Sequence, residues 1–564
     1  MENKKIAAEV IMDIVYKQGV EYIFGLPGGA AIPLFDALVD SPIKLILTRH
    51  EQGATHMADG YSRSTGKVGV VLVTSGPGAT NTISGILTAH MDSIPMIILC
   101  GQQTRNNLGL DAFQEADVSG ISYPVVKHSY LVKDPESVPR ILNEAFYIAR
   151  TGRPGPVLID LPKDVINSKI SADYNAGMDL PGYLLVDDKD IDLEEVDKAV
   201  KLIESSEKPL LLVGHGAIIS GANKVIKDFA EVNKIPVTNT LLGKGGFPEN
   251  HDLSLGMLGM HGTAYANKAI IDCDLLMSIG SRWDDRITGK LEKFCPDAKK
   301  IHIDIDNSEI DKVIKADCAI VADANAVMHL LINKVNKKPR DEWINKVNKY
   351  KKDFPLSYPK SDELKAQYII EEAYNLSGGN AIFVTDVGQH QMWAAQYCKT
   401  INRYDWLSSG GAGTMGFGFP AAIGAQFANK NRLVVAIVGD GSFQMTMSEL
   451  ATAQIHKLPL KILIINNNYL GMVRQWQNLF YKNRLSGVDL EGNPDFARLA
   501  ECYGIKAFTV TKSKDVKQIL KESYEYNEGP CLINAIVEKE DNVFPMIPSG
   551  GTYEDMILEA PNEE

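Results

Sequence analysis

Continuous apolar runs of strand length alternate with stretches of helical periodicity along most of the chain. KLILT (Lys44 to Thr48), VGVVLVT (Val68 to Thr74), MIILC (Met96 to Cys100) and PVLIDLP (Pro156 to Pro162) are the first of these runs. Runs apolar on both alternating faces, separated by helices, predict a doubly wound parallel sheet covered on both sides. A polar stretch without clear periodicity, Asn167 to Glu195, reads as a linker. A second α/β block runs from EVDKAVKLIES and PLLLVGHG (Pro209 to Gly216) through DLLMSIGSR to KKIHIDID (Lys299 to Asp306). The lysine-rich segment around Asn336 to Lys365, with Pro339, Pro355 and Pro359, reads as a second linker. A third block starts at AIFVTDVG (Ala381 to Gly388) and continues through LVVAIVGDG and LKILIINNN to CLINAIV (Cys531 to Val537). The pattern predicts an α/β protein of three doubly wound parallel-sheet domains, over residues 1–170, 190–340 and 365–545, with a tail over 546–564. No sequence repeat ties the three together.

Length agrees with this division, since 564 residues at about 150 per domain give three to four domains. With 58 basic and 71 acidic residues the net charge is −13, which leaves no general basic face for nucleic acid or an anionic membrane. Seven cysteines, odd in number and without a CxxC pair, fit neither a disulfide framework nor a zinc ribbon and suit a reducing cytoplasm. The start MENKKIAAEV has no apolar secretory core, and the apolar runs are far short of the ~20 residues a membrane span needs.

The sharpest chemical signal is Gly439-Asp440-Gly441 directly after one predicted strand and Asn466-Asn467-Asn468 directly after the next. Asp440 and Asn467 lie 27 residues apart, and the intervening MTMSELATAQIHKLP is helical, so the unit is one β-α-β crossover. Both polar tips then emerge at the carboxyl edge of the sheet, where open α/β folds bind ligands. A carboxylate, an amide oxygen and a nearby backbone carbonyl are hard donors that suit Mg²⁺ together with diphosphate oxygens and water. The glycines admit a diphosphate close to the backbone.

This pair resembles the binding motif of the thiamine-diphosphate-dependent enzyme superfamily, and the resemblance runs along nearly the whole chain. Gly25-Leu-Pro-Gly28-Gly29, RHEQGATHMADGYSR (Arg49 to Arg63), TSGPGATN (Thr74 to Asn81) and RPGPVLIDLPKD (Arg153 to Asp164) are similar to its pyrimidine-binding domain. GLDAFQEAD, LGMHGTAYAN, RWDDRITGKLE, GQHQMWAAQ, GMVRQWQNLFY and NVFPMIPSGG resemble more narrowly the biosynthetic acetohydroxyacid synthase family. That likeness implies pyrimidine-binding, central FAD-binding and diphosphate-binding domains. It also implies decarboxylation of pyruvate and transfer of the two-carbon unit to a second pyruvate or to 2-oxobutanoate, at the head of branched-chain amino-acid synthesis.

The resemblance implies a role for each matched residue. Glu51 would hydrogen-bond N1′ of the aminopyrimidine and promote loss of the thiazolium C2 proton, whereas position alone would make it a helix-capping glutamate. Asp440, Asn467 and the Tyr469 carbonyl would hold Mg²⁺. Gly28, Gly29, Gln389, His390, Gly439, Gly441 and Ser442 would line the thiamine diphosphate, and Met415 would force its bent shape. FAD, chiefly structural, would meet Arg153, Gly214, His261, Arg282, Asp284, Asp304 and Asp323. Arg286 would face the acceptor carboxylate, for which a planar guanidinium is suited; without the likeness it would be a surface ion pair with Asp284 or Asp285. Gln114 and Lys163 match positions lining the site. Trp476 is expected to select the acceptor, the plain alternative being a core tryptophan. A homodimer or dimer of dimers and a separate small regulatory subunit are the implied partners, the latter because the chain ends soon after the third block.

One departure from the family pattern is Gln103-Thr104, where Val-Pro is common after Gly101-Gln102, and it bears on the rim of the substrate channel. Three other patterns are decoys. His50 and His56 are six apart, so they do not form HExxH; Gly60 to Lys67 lacks the spacing and the Ser/Thr of a P-loop; GxGxxG at Gly411 to Gly416 is weak alone. A catabolic FAD-free synthase, a pyruvate oxidase and a non-enzymatic flavoprotein are the competing readings. GQHQMWAAQ and RWDDRITGKLE speak against the first, and the joint presence of Glu51, Asp440 and Asn467 against the last.

Overall fold

The computed structural model describes residues 4–559 except 173, 175, 184, 186–189, 360 and 362. Parts of both expected linkers and the end of the expected tail, 560–564, therefore lie outside the described residues.

The first sheet contains β1 (Tyr22–Gly25), β2 (Lys44–Leu47), β3 (Gly69–Val73), β4 (Met96–Gln102), β5 (His128–Leu131) and β6 (Pro156–Pro162), all parallel, in the order β2-β1-β3-β4-β6-β5. Between its strands run α1 (Glu51–Thr65) and α2 (Ile83–Met91). Every residue of β3, β4 and β6 is buried, which is why these strands read as unbroken apolar runs.

The central sheet contains β7 (Pro209–Val213), β8 (Val237–Asn239), β9 (Ser254–Met257), β10 (Leu275–Ile279), β11 (Lys299–Asp304) and β12 (Cys318–Val321), parallel in the order β9-β8-β7-β10-β11-β12. Numbered within the sheet this is 3-2-1-4-5-6, the dinucleotide-binding order, with its switch point between β7 and β10.

The segment 336–365, expected to be a plain linker, contains a helix, α3 (Asp341–Asp353), docked on the central domain. Trp343 and Val347 are its buried positions, and the Trp343 indole donates to the Pro209 carbonyl at 2.9 Å. The lysine-rich composition belongs to the outer face of an amphipathic helix that buries two residues four apart.

The third sheet contains β13 (Ile382–Thr385), β14 (Trp406–Leu407), β15 (Val434–Gly439), β16 (Lys461–Asn466), β17 (Lys506–Val510) and β18 (Cys531–Ile536), parallel in the order β14-β13-β15-β16-β18-β17. Its helices include α4 (Gly418–Ala428) and α5 (Gly471–Phe480). The first and third sheets thus share one strand order, 2-1-3-4-6-5, without a detectable sequence repeat. They are joined by α1 and α4, whose residues merge with both sheets into one apolar core. Among the described residues no helix is long and apolar enough to cross a membrane.

Candidate functional site

β15 and β16 pair in parallel with Gly439 opposite Ile465, so the Gly439-Asp440-Gly441 and Asn466-Asn467-Asn468 tips emerge side by side. Asp440 and Asn467 are 1% and 6% exposed. The Asp440 Oδ2 accepts from Asn493 Nδ2 at 2.7 Å. The Asn467 Oδ1 accepts from the Tyr469 N–H at 3.1 Å, and its Nδ2 donates to Gln389 Oε1 at 3.1 Å. Burial pushes the Asp440 carboxyl up to about 6, with the Asn493 amide opposing it. A buried carboxylate met chiefly by amides is short of positive charge, and a cation would supply it. Among the described residues no group of three or more His, Cys, Asp or Glu could hold a metal. The ion this site fits is therefore one content with a single carboxylate, amide and carbonyl oxygens, and oxygens brought by a ligand, as Mg²⁺ is.

The surrounding backbone leaves room by lacking side chains. A Cβ on Gly441 would stand 2.8 Å from Leu470 Cδ2, and one on Gly439 would stand 2.8 Å from the His390 ring. His390 is buried with Nε2 unpartnered, and burial pushes its pKa down to about 3, so it is a neutral ring. Met415 and Ser442 line the same end of the cavity. The loop carrying Met415 is fixed by Asp386 at the end of β13, whose Oδ1 accepts from the Gly416 N–H at 3.0 Å and whose Oδ2 accepts from the Gly418 N–H at 2.7 Å.

The cavity, about 1250 Å³, extends from this end to the carboxyl edge of the central sheet. There the turns after β7 and β10 meet at the switch point: His215 and Gly216 line the cavity, and Gly214 packs behind them, with a Cβ there only 2.1 Å from the Gly280 carbonyl oxygen. Asp304 ends β11, and burial pushes its carboxyl up to about 6. Asp323 caps the helix that follows β12, accepting from the Asn325 and Ala326 N–H groups. Arg153 reaches across from the first domain, 3.1 Å from Asp306 Oδ2, 2.7 Å from Glu309 Oε1 and 2.9 Å from Ser93 Oγ. Arg282 lies 3.8 Å from Asp284. His261 is buried with Nδ1 unpartnered, and burial pushes it down to about 4. Unpartnered nitrogens on His261 and His390, on the walls of one large cavity, leave hydrogen-bonding capacity there for a bound group.

At the mouth, the Arg286 guanidinium stands 6.0 Å from the centre of the Trp476 ring, and Trp476 meets Phe480 edge-on at 5.7 Å. Trp476 is half-buried in the cavity wall, and Arg286 is 3.8 Å from Asp285 with a largely exposed side chain.

Five expected residues stand elsewhere. Glu51 opens α1, buried, and its Oε2 accepts from Asn81 Nδ2 at 2.9 Å. Beside it a Cβ on Gly28 would meet Thr74 at 2.4 Å, whereas Gly29 is open. Gln114 has φ +58°, and its carbonyl abuts Gly76. Lys163 opens the short helix after β6. None of Gly28, Gly29, Glu51, Gln114 and Lys163 lines the cavity of Asp440. Glu51 with its neighbours and Asp440 with its neighbours thus stand apart, both at carboxyl edges of sheets of like strand order.

Sequence reasoning missed Asp386, Asn493 and Gln475. Gln475 is fully buried; its Oε1 accepts from Gln389 and from the Val543 N–H, and its amide donates to the Val543 carbonyl. Asp386 stood at a strand end like Asp440 and could have been found by that rule; Asn493 and Gln475 act across distant loops and left no local signal.

Family models described as thiamine pyrophosphate enzyme N-terminal TPP binding domain, central domain and C-terminal TPP binding domain match residues 6–121, 196–331 and 386–535. The chain is 48% identical to the acetolactate synthase large subunit of Porphyra purpurea over 98% of its own length and 96% of the relative's. It is 44% identical to the acetolactate synthase large subunit of Haemophilus influenzae over the full length of both. The probable acetolactate synthase large subunit of Methanocaldococcus jannaschii is 46% identical, over 98% of this chain and 95% of the relative. With paired strand tips, the strand order of the central sheet and full-length likeness in agreement, the chain belongs to the acetolactate synthase large subunits of the thiamine pyrophosphate enzyme family.

Proposed function

We propose that the cavity is the catalytic centre of a biosynthetic acetolactate synthase, with thiamine diphosphate and Mg²⁺ at the Asp440 end and FAD at the switch point of the central sheet. The observation that carries this reading is the juxtaposition, in one cavity, of the Asp440–Asn467 tips with the Gly214–Gly216 and Asp304 strand ends. Thiamine diphosphate, when bound, supplies the nucleophilic carbon and the electron sink for loss of CO₂ from pyruvate. Asp440, Asn467 and the Tyr469 carbonyl would hold Mg²⁺, and the side-chain-free Gly439 and Gly441 would leave room for a diphosphate beside it. Met415, on the loop fixed through Asp386, would stand against the cofactor. Asp304 and Asp323 offer carboxylates to ribose hydroxyls, and His215 and Gly216 offer a turn for the pyrophosphate. This FAD is a structural element, since the net reaction transfers no electrons.

Glu51 holds and returns a proton on its carboxyl next to the aminopyrimidine. Because its half-site does not line the Asp440 cavity, a homodimer, in which the Glu51 face of one copy covers the Asp440 face of another, is the minimal active unit. Gln114 and Lys163 join the site from that face. Trp476 and Arg286 form the acceptor subsite: the guanidinium takes the 2-oxoacid carboxylate, and the indole face meets its alkyl end. A separate small regulatory subunit follows from the large-subunit name of the relatives. A cytoplasmic location is supported by seven unpaired cysteines, six of them buried.

The deciding experiment is product analysis with pyruvate alone and with 2-oxobutanoate added. Acetolactate in the first case and 2-aceto-2-hydroxybutanoate in the second are expected, with the flavin spectrum unbleached. Acetyl phosphate or acetate with flavin reduction would replace this reading by an oxidase. Asp440→Ala should abolish Mg²⁺-dependent thiamine diphosphate binding, read by quenching of intrinsic fluorescence, while the fold remains.

A further inference from the structure

The loop Ser408 to Gly416, which carries Met415, is held from outside its own domain. Asp92 caps the C-terminus of α2 and is 2% exposed. Its Oδ1 accepts from the Gly411 N–H at 2.7 Å, and its Oδ2 accepts from the Gly410 N–H at 3.1 Å and from Arg63 Nη2 at 2.8 Å. Arg63, gripped in turn by Asp59, donates Nη1 to the Ser408 carbonyl at 2.8 Å. One turn earlier on α2, the Thr88 hydroxyl is 2.6 Å from that of Thr414. The fit is close: a Cβ on Gly411 would stand 2.8 Å from Met91 Cβ and 2.9 Å from Asp92 Oδ1.

The same residue also reaches the central domain. The Asp92 main-chain carbonyl lies 2.9 Å from His215 Nδ1. A carbonyl can only accept, so the imidazole donates from Nδ1, and burial, which pushes its pKa down to about 4, keeps it neutral. His215 belongs to the turn assigned above to the FAD pyrophosphate. Asp92 therefore touches the nucleotide turn with its main chain and the Met415 loop with its carboxylate. Its side-chain oxygens are occupied by protein donors, so it acts through others and not on substrate.

We propose that Asp92 is a positioning residue that couples the two ends of the cavity, so that FAD at the His215–Gly216 turn tightens thiamine diphosphate binding by setting the Met415 loop. The inference rests on the two cofactor assignments under Proposed function and adds a link between them. A ligand that orders the His215 turn fixes the Asp92 carbonyl. Carbonyl and carboxylate belong to one residue at a helix end, so fixing the first restrains the second and with it the Gly410 and Gly411 amides. Linkage requires thiamine diphosphate to tighten FAD by the same factor.

The test measures the dissociation constant of thiamine diphosphate, with Mg²⁺ present, on the FAD-free and FAD-saturated protein, and that of FAD with and without thiamine diphosphate. In the wild type each cofactor should tighten the other by one common factor, roughly tenfold within the usual 5–150. Asp92→Asn keeps the main-chain carbonyl but sets an amide N–H₂ against the Gly410 N–H or the Arg63 guanidinium. It should bind FAD alone within about threefold of wild type while the coupling factor falls towards one; a variant that merely loosened the fold would weaken both constants and keep their ratio. Hydrogen exchange of residues 408–417 in the wild type needs no variant, and FAD alone should slow it. A wild-type coupling factor in folded Asp92→Asn, no coupling in the wild type, or unchanged exchange on adding FAD overturns the link while leaving the cofactor assignments standing. Failure of the wild type to bind FAD at all overturns the assignment of the central domain and the link with it.

Discussion

Arg286 was singled out in the sequence by resemblance and Trp476 by its place nine residues past Asn467, and the fold brings them face to face, the guanidinium 6.0 Å from the ring centre. A half-buried indole in a cavity wall can add contact for one extra methylene, worth about 1–3 kcal/mol or roughly 10 to 200-fold in discrimination. Trp476→Leu should therefore lower the preference for 2-oxobutanoate over pyruvate in a competition assay, while acetolactate formation and the melting temperature persist. An unchanged product ratio in the folded variant would remove Trp476 from the acceptor subsite. A second residue gives a test free of cofactors. His56 lies wholly inside α1, 5.5 Å from the Phe417 ring centre, and burial, aided by Arg63, pushes its pKa down to about 3. The unfolded chain takes up this proton below about pH 6.5, whereas the folded chain resists until about pH 3. The stability tied to neutral His56 is thus full above pH 6.5 and is lost as pH falls through that window, about 2 kcal/mol of it by pH 5. In urea titrations of the apo protein, His56→Gln should lose stability on acidification less steeply than the wild type, by up to ~1.4 kcal/mol per pH unit. Equal slopes would show that His56 is protonated in the folded state.

Among the elements, α1 and α4 cross with backbone against backbone. A Cβ on Gly424 would stand 1.9 Å from the Met57 carbonyl oxygen, and one on Gly60 would stand 2.0 Å from that of Ala421. Neither neighbour is a flexible side chain, so Gly424→Ala must push the helices apart, at a cost of about 1–3 kcal/mol or more. α1 starts at Glu51 and α4 follows the Met415 loop, so the same change should also weaken thiamine diphosphate binding. Gly182→Ala, where an added methyl meets no atom of the described residues within 4 Å, should leave the melting temperature unmoved. If Gly424→Ala melts like the wild type, the close crossing is wrong. This element-level fit was not legible in the sequence, since a glycine in a helix does not announce what lies over it. The buried strands were legible, because burial on both faces writes itself as an apolar run, as in β3, β15 and β16. Short strands were not: β8 has three residues and β14 two, too few to show a period. The helix α3 was hidden because its lysines dominate the composition while Trp343 and Val347 alone face inward. The Asp440 and Asn467 tips could be read from the strand-helix-strand spacing, whereas Asn493, which completes their hydrogen bonding, sits in a loop that only the fold brings near.

At the scale of the molecule, the first and third sheets share the order 2-1-3-4-6-5, and each carries residues of the proposed site at its carboxyl edge, yet within one chain the Glu51 group does not line the cavity of Asp440. Glu51 is buried beside Asn81 and Gly78, and Asp440 beside Asn493 and Gln389's neighbour Asn467. A catalytic centre that needs both can be completed by a second copy in a two-fold arrangement, which yields two equivalent sites. Exposed apolar side chains mark the faces that such a copy would cover: Leu110 and Phe113 next to Gln114, and Met445 near the Asp440 end, are 70%, 83% and 55% exposed. The expected consequence is complementation. Glu51→Gln and Asp440→Ala homodimers should each be inactive, since each lacks one half in both sites. A mixed dimer has one site that combines the two intact halves and one that combines the two damaged halves. Random exchange of equal amounts makes half of the dimers mixed, each with one working site of two, so activity should recover to about a quarter of the wild-type value. The measurement is acetolactate formation after subunit exchange, with exchange itself followed by fluorescent labels on the two variants. Full mixing without recovery would mean that Glu51 and Asp440 of the same chain serve one site, and that the separation of the two half-sites closes by a movement within the chain.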